Sequence, residues 1–354
     1  MRNLIVFVII FVCLYSCKTE EPKKITLEQD IAFLASDSLQ GRETGTPEEL
    51  IAADYLQERM RDIGLQPKGN AGTYFQTFTF KPKTDPHAEV QFVAGDSTIT
   101  GTNVIGYIDN QAAKTVIVGA HYDHLGMGGE GSLYADGEAI HNGADDNASG
   151  TAALLEIARF LSTADGEYKK SNYLFIAFSG EEKGLLGSKY FTENFNPDNE
   201  SKIFYMLNMD MVGRLKEETL AVSGTGTSPV WSHVLEQSQC QALKIKTSEG
   251  GVGPSDHTSF YYLDIPVLHF FTGAHSDYHK PSDDADKINY EGEALVINYI
   301  LSIVQNTQEF EEMPFSKTKD QAQVAPKFSV TLGVMPDYMF QGDGMRIDGV
   351  TEGK

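Results

Sequence analysis

Short apolar runs alternate with amphipathic stretches along most of this 354-residue chain, the pattern expected of strands and the helices that cover them. Residues 26–34 open as a helix, with Thr26 placed to cap it and an acidic residue in its first turn. A loop rich in Gly, Ser, Thr and Pro (35–49) leads into helix-period residues that run through Ile63 and stop at Gly64. Residues 75–80 alternate aromatic and polar side chains, which predicts a strand, and 89–93 with 98–100 predict a short hairpin turning at 94–97. Strands are then predicted over 102–108 and 114–124. Beyond them the spacing predicts a helix over 148–161, a strand over 172–178, a helix over 185–195 and a strand over 202–209. A helix over 229–241, a strand over 265–271 and an amphipathic helix over 290–307 complete the series.

Alternating β and α elements imply an α/β fold: a mixed, mostly parallel central sheet with helices on both faces. In such sheets a ligand site is expected at the carboxyl ends of the strands. The apolar–polar pattern places this domain at 27–308. Charged residues around Pro314 suggest a linker over 309–326, and the strand-like pieces of 327–354 resemble the opening strands of a PDZ-like domain.

Residues 1–16 read as an export signal: Arg2 supplies the positive start and 4–14 an apolar segment too short for a membrane span. The segment ends in LYSC, which resembles a bacterial lipoprotein cleavage box with Cys17 as the acylated residue, and 17–26 would then be a polar tether. That reading predicts an exported protein held to the cell envelope by a lipid on Cys17, on the periplasmic side or the cell surface. Of the three cysteines, Cys13 lies in the signal and Cys17 would be lipidated, so Cys240 has no partner for a disulfide.

Charge narrows the partners. Fifty acidic against 28 basic residues give a formal net charge of −22, which argues against nucleic acid and against electrostatic docking on anionic membranes. It is compatible with metal cations and with substrates bearing a free amine.

Four segments carry the candidate chemistry: GAHYDH (119–124), GADDNASG (143–150), SGEEKGLLGS (179–188) and NMDMVG (208–213). Adjacent carboxylates such as Glu181 and Glu182 repel unless something positive lies near them. His121 and Asp123 are two apart on a strand, so they share a face, as a ligating imidazole and its supporting carboxylate would. Asp145 and Asp146 precede a helix, where one Asp could cap it, but two with an Asn exceed that need. From His121 to Asp146, Asp146 to Glu182 and Glu182 to Asp210 are 25, 36 and 28 residues. Each is near the length of one βαβ crossover, which brings one ligand after another to the same sheet edge. With His279 in the loop HSDYHKPSDD (275–284), two histidines and three carboxylates make an N/O set suited to zinc.

These motifs, with YHKPSDD and LQGRETGTPEE, resemble those of peptidase family M28, the two-zinc exopeptidases that include bacterial aminopeptidases and glutamate carboxypeptidase. The resemblance runs from about Leu27 to Thr307. It implies two Zn²⁺ ions, with Asp146 bridging them, His121 and Asp210 completing one site, and Glu182 and His279 the other. It further implies Glu181 as general base, Asp123 as the partner behind His121, a cis peptide at Asp146–Asn147, and Tyr278 as an aid to the oxyanion. Asp256 and His257 would line the substrate pocket. Two metals can share a water, lower its pKa and polarise the scissile carbonyl, while Glu181 carries the proton to the leaving amine. The expected activity is therefore removal of N-terminal residues from peptides. A carboxypeptidase or dipeptidase would need a basic pocket, for which Arg42 and Arg214 are the candidates, and a glutaminyl cyclase would use one zinc. A non-catalytic binding protein on the same fold would be expected to have lost part of the ligand set, and no such loss is visible.

Overall fold

Seven consecutive buried residues, Asn172–Phe178, form a strand at the heart of the sheet because the apolar run Tyr173–Phe178 tolerates cover on both faces. The computed structural model describes residues 26–82, 90–195, 202–238, 240–319, 334–336 and 347–350. Nine strands form one sheet. They are β1 (Gln66–Pro67), β2 (Phe75–Phe80), β3 (Ile99–Ile108), β4 (Lys114–His121), β5 (Asn172–Phe178), β6 (Lys202–Met209), β7 (Thr219–Ser223), β8 (Lys244–Thr247) and β9 (Val267–Phe271). Their spatial order is β1-β3-β5-β4-β6-β9-β7-β8, with β2 also paired to β3. The central pairs β5/β4, β4/β6 and β6/β9 are parallel, and β3/β5 and β7/β9 are antiparallel. This is the expected mixed sheet.

Helices α1 (Leu27–Leu34), α2 (Pro47–Ile63), α3 (Gly150–Thr163), α5 (Trp231–Gln237) and α7 (Tyr290–Asn306) supply the main core on one face. Helices α4 (Leu186–Glu193) and α6 (His257–Tyr261) build the smaller core on the other, around Phe178, Phe191 and Phe260. Local chemistry sets the helix ends. Thr26 and Gln29 form a reciprocal capping box on α1, and α2 starts with Thr46 as cap and Pro47 at its first position and ends on left-handed Gly64.

Some elements differ from their expected bounds. The hairpin expected from 89–93 and 98–100 is not formed: Phe92 bridges Phe80 of β2, and Ile99 runs straight into β3. Gly101 permits this, because a Cβ there would sit 2.4 Å from the Phe78 ring. Strands β7 and β8 and helix α6 had no signal, being short or, in β8, mostly exposed. The stretch 310–319, read as linker, lies on the domain: Ser316 N–H donates to the Thr227 carbonyl, and Gly251 N–H to Thr318 Oγ1. Residues 1–25, with the signal and Cys17, fall outside the described residues. So does most of 327–354, of which β10 (Val334–Pro336) and β11 (Ile347–Val350) pair antiparallel. No described helix is long and apolar enough to cross a membrane.

Candidate metal centre and substrate cleft

The sheet changes direction at β4. The chain leaves β4 for β5 on one side, then crosses back to β6 on the other, which opens a crevice at their carboxyl ends. His121 is the last residue of β4, Glu181 and Glu182 follow β5, and Asp210 follows β6. Asp146 lies in a wide helical turn (Ala144–Ser149) before α3, and its bond to Asn147 is cis.

Side chains from these loops converge. His121 Nε2 lies 3.4 Å from both Asp146 Oδ1 and Asp210 Oδ1. His279 Nε2 lies 3.2 Å from Asp146 Oδ2 and 3.4 Å from Glu182 Oε2. Asp146 thus faces one histidine with each oxygen, the placement expected of a ligand shared by two ions. The five expected ligands are brought together in two adjoining sets.

Much of the surrounding polar structure orients these five. Behind His121, Asp123 presents its carbonyl 3.2 Å and its carboxylate 3.7 Å from Nδ1. The same carboxylate accepts from Glu181 N–H at 3.1 Å and Thr44 Oγ1 at 2.9 Å, so Asp123 positions both a ligand and the expected base. Asp283 Oδ2 accepts the backbone N–H groups of Asp145 and Asp146 at 2.9 and 3.0 Å. Asn147 ties this turn to the end of β6, donating to the Met209 carbonyl and accepting from Met211 N–H. Asp145 braces the same turn from its other side. Its Oδ1 accepts from Gly213 N–H at 2.7 Å, and His275 Nε2 lies 3.1 Å from its Oδ2.

Electrostatics follow from this crowding. Burial opposes protonation of His121, but Glu181, Asp210 and Asp146 outweigh it and hold the imidazole well above its usual pKa. Glu182 and Asp146 do the same for His279 against the same opposition. For Asp146 burial acts upward, yet hydrogen bonds from His121 and His279 keep the carboxyl well below the usual range. Glu181 goes the other way: burial, then Asp210 and Glu182, raise it well above the usual range, with His121 only partly compensating.

The donor chemistry fits zinc. Imidazole nitrogens and carboxylate oxygens form two groups whose atoms lie within 4.8 Å of one another, one of His121, Glu181 and Asp210, the other of His124, Asp146 and Glu182. His124 closes the motif HYDH, yet the sequence pattern assigned it no role. Its Nδ1 is 2.9 Å from Glu182 Oε1, and its buried Nε2 has no hydrogen-bond partner among the described residues.

Other expectations need correction. Arg42 cannot meet a substrate: it is fully buried and donates to the carbonyls of Tyr122, Leu34, Asn142 and Gly143. Arg214 is paired with Asp277 at 3.2 Å. Asp256 and His257 do not line the cleft. Both are fully buried, and the His257 ring stacks at 4.5 Å on His269, which does reach the cleft surface. Tyr278 lines the cleft, its ring stacked 3.8 Å from that of His279.

The cleft holds about 1170 Å³ and opens over His121, Asp146, Glu181, Glu182, Asp210 and His279. Residues 103–304 match the model of peptidase family M28. The chain belongs to that family. Among curated relatives, aminopeptidase YwaD of Bacillus subtilis strain 168 is 30% identical over 206 residues, covering 54% of this chain and 41% of that protein. A Zn-dependent exopeptidase from Parabacteroides distasonis superposes with a TM-score of 0.62 at 20% identity, covering 80% of this chain and 99% of that one. A glutaminyl cyclase from Porphyromonas gingivalis does so with a TM-score of 0.61 at 20% identity, covering 80% and 97%. At these identities the structural likeness shows the zinc-exopeptidase fold. The chain spans less than half the length of the first curated relatives it matches, 46% and 41%.

Proposed function

We propose that the protein is a zinc-dependent aminopeptidase that releases N-terminal residues from peptides. One observation carries the reading: His121, Asp146, Asp210, Glu182 and His279 converge through contacts of 3.2–3.4 Å, with Glu181 beside them and facing the cleft. His121 and Asp210 would hold one ion and Glu182 and His279 the other, with Asp146 shared. When bound, the ions would supply Lewis acidity toward the scissile carbonyl and the attacking water.

The chain's own groups do the rest. Glu181 takes a proton from the water as the C–O bond forms and delivers it to the amine as the C–N bond breaks. Asp123 holds the Glu181 backbone and the His121 ring in place. The Tyr278 hydroxyl, carried on a ring stacked against His279, is assigned to the carbonyl oxygen as it gains charge. The relative YwaD is named an aminopeptidase, which favours this reading over a carboxypeptidase.

The test compares free-amino and N-acetylated peptides, with and without chelator, on wild type and Glu181→Gln. Cleavage of free-amino peptides alone is expected, lost with chelator and reduced about a hundredfold to ten-thousandfold in the variant. Cleavage of acetylated peptides from their carboxyl end would replace this reading with a carboxypeptidase. Cyclisation of an N-terminal glutamine with release of ammonia and no chain cleavage would replace it with a cyclase.

A further inference from the structure

The cleft wall has a charge opposite to that of the protein. Acidic residues outnumber basic ones 50 to 28 in the chain. Yet apart from the site carboxylates Asp146, Glu181, Glu182 and Asp210, no acidic residue lines the cleft among the described residues, whereas Lys189, Lys246 and Lys317 do. Lys189 is already engaged, donating to the Gly184 carbonyl at 2.8 Å. Lys246 and Lys317 are exposed and form no ion pair among the described residues.

Both sit on fixed backbone. Lys246 is paired in register with Ala221, and Ala221 with Phe271. Phe270 accepts from Asp210 N–H. Three strand spacings therefore separate the Lys246 backbone from the Asp210 backbone, roughly 14 Å. Lys317 is held between two anchored neighbours. Ser316 N–H donates to the Thr227 carbonyl at 2.8 Å, and Thr318 N–H donates to the Tyr261 hydroxyl at 3.0 Å. The Phe315 ring packs 5.4 Å from that of Tyr261. The stretch after α7 is thus a built part of the cleft wall.

An extended peptide advances about 3.3 Å per residue, so roughly 14 Å is about four residues, and the flexible lysine stem reaches back over part of that. At physiological salt, screening over about 8 Å favours these lysines over distant surface acids as the charge a bound substrate meets. We propose that the cleft selects peptides carrying a carboxylate two to four residues beyond the cleaved bond, and that Lys246 and Lys317 read it. The group could be the terminus of a short peptide or an acidic side chain in that place. The inference rests on the aminopeptidase reading and adds its substrate class.

The experiment measures kcat/KM of the zinc-loaded enzyme, at fixed ionic strength, on Leu-Ala-Ala, Leu-Ala-Ala-amide, Leu-Ala-Glu-amide and Leu-Ala-Gln-amide. Wild type should prefer the free acid over its amide, or Glu over Gln, by about fivefold. Whichever ratio is raised identifies terminus or side chain. In K246E/K317E, shown to fold by its circular-dichroism melt, that ratio should fall to one or below, mainly through KM. Wild-type ratios of one, or ratios unchanged in the variant, would overturn the cleft inference and leave the aminopeptidase reading standing. Absence of turnover on all four peptides would overturn the aminopeptidase reading, and the inference with it.

Discussion

Replacing His124 tests whether the buried polar shell, and not the ligands alone, sets the strength of one metal site. His124 Nδ1 lies 2.9 Å from Glu182 Oε1, with the histidine side chain inaccessible and the glutamate 8% exposed. The other carboxylate oxygen, Oε2, faces His279 at 3.4 Å. Glu182 is thus divided, one oxygen held by His124 and the other left for a metal. The His279 ring meets the His124 ring edge-on at 5.8 Å, so His124→Phe keeps the ring packing and removes only the donor. A buried hydrogen bond to a charged group contributes about 1.5–3 kcal/mol. Loss of such a supporting partner costs roughly 10- to 100-fold in metal affinity, or about 1.4–2.7 kcal/mol. The two ranges agree. Zinc titration of the metal-free protein against a chromophoric chelator should show one ion bound as in wild type and the second weakened by that factor. Two ions bound with wild-type affinity would refute the assignment. Equal weakening of both would instead mean that the change disturbs the whole cluster.

Two stability predictions follow from residues outside the ligand set. Glu293 on α7 is fully buried with neither carboxylate oxygen hydrogen-bonded among the described residues, and burial, then Asp145, push its carboxyl well above the usual range. A carboxyl raised in the folded state contributes stability below its unfolded pKa, and that stability is lost as pH rises through the folded value. Glu293→Gln cannot ionise, so its melting temperature should exceed wild type at pH 8 and the gap should close toward pH 4; a gap widening as pH falls would be the wrong sign. Arg42→Lys removes the planar fork that joins the end of α1, the end of β4 and the start of the Asp146 turn. With several buried carbonyls left unsatisfied, a loss of at least about 3 kcal/mol is expected in a denaturant melt, and a loss under about 1 kcal/mol would be too small for that role.

Where a strand is mostly apolar, as in Lys202–Met209 and Asn172–Phe178, its observed bounds coincide with those expected from pattern, because the apolar run is long enough to be buried on both faces. β8 was silent for the opposite reason: KIKT lies at the sheet edge, mostly exposed, and needs no apolar period. Likewise the turn at Ala144–Ser149 offers no periodic signal, since its shape is held by Asp283, Met209 and Met211 from distant parts of the chain.

The meeting of His121, Asp146, Glu182 and Asp210 was legible because one metal-type residue per crossover puts each near a strand's carboxyl end, a consequence of β–α alternation. Arg42 and Asp256 were misplaced because whether a charged residue meets solvent or carbonyls depends on which segments fold over it. His124 was overlooked because its use comes from Glu182, 58 residues away. Sequence by itself thus determined the central strands, the longer helices and the placing of His121, Asp146, Glu182 and Asp210 near one sheet edge, which follow from periodicity and order, while the metal roles given to them rest on the likeness to the family's motifs. Tertiary structure decided which side chains support those ligands and which lysines line the cleft, since these depend on distances between residues far apart in the chain.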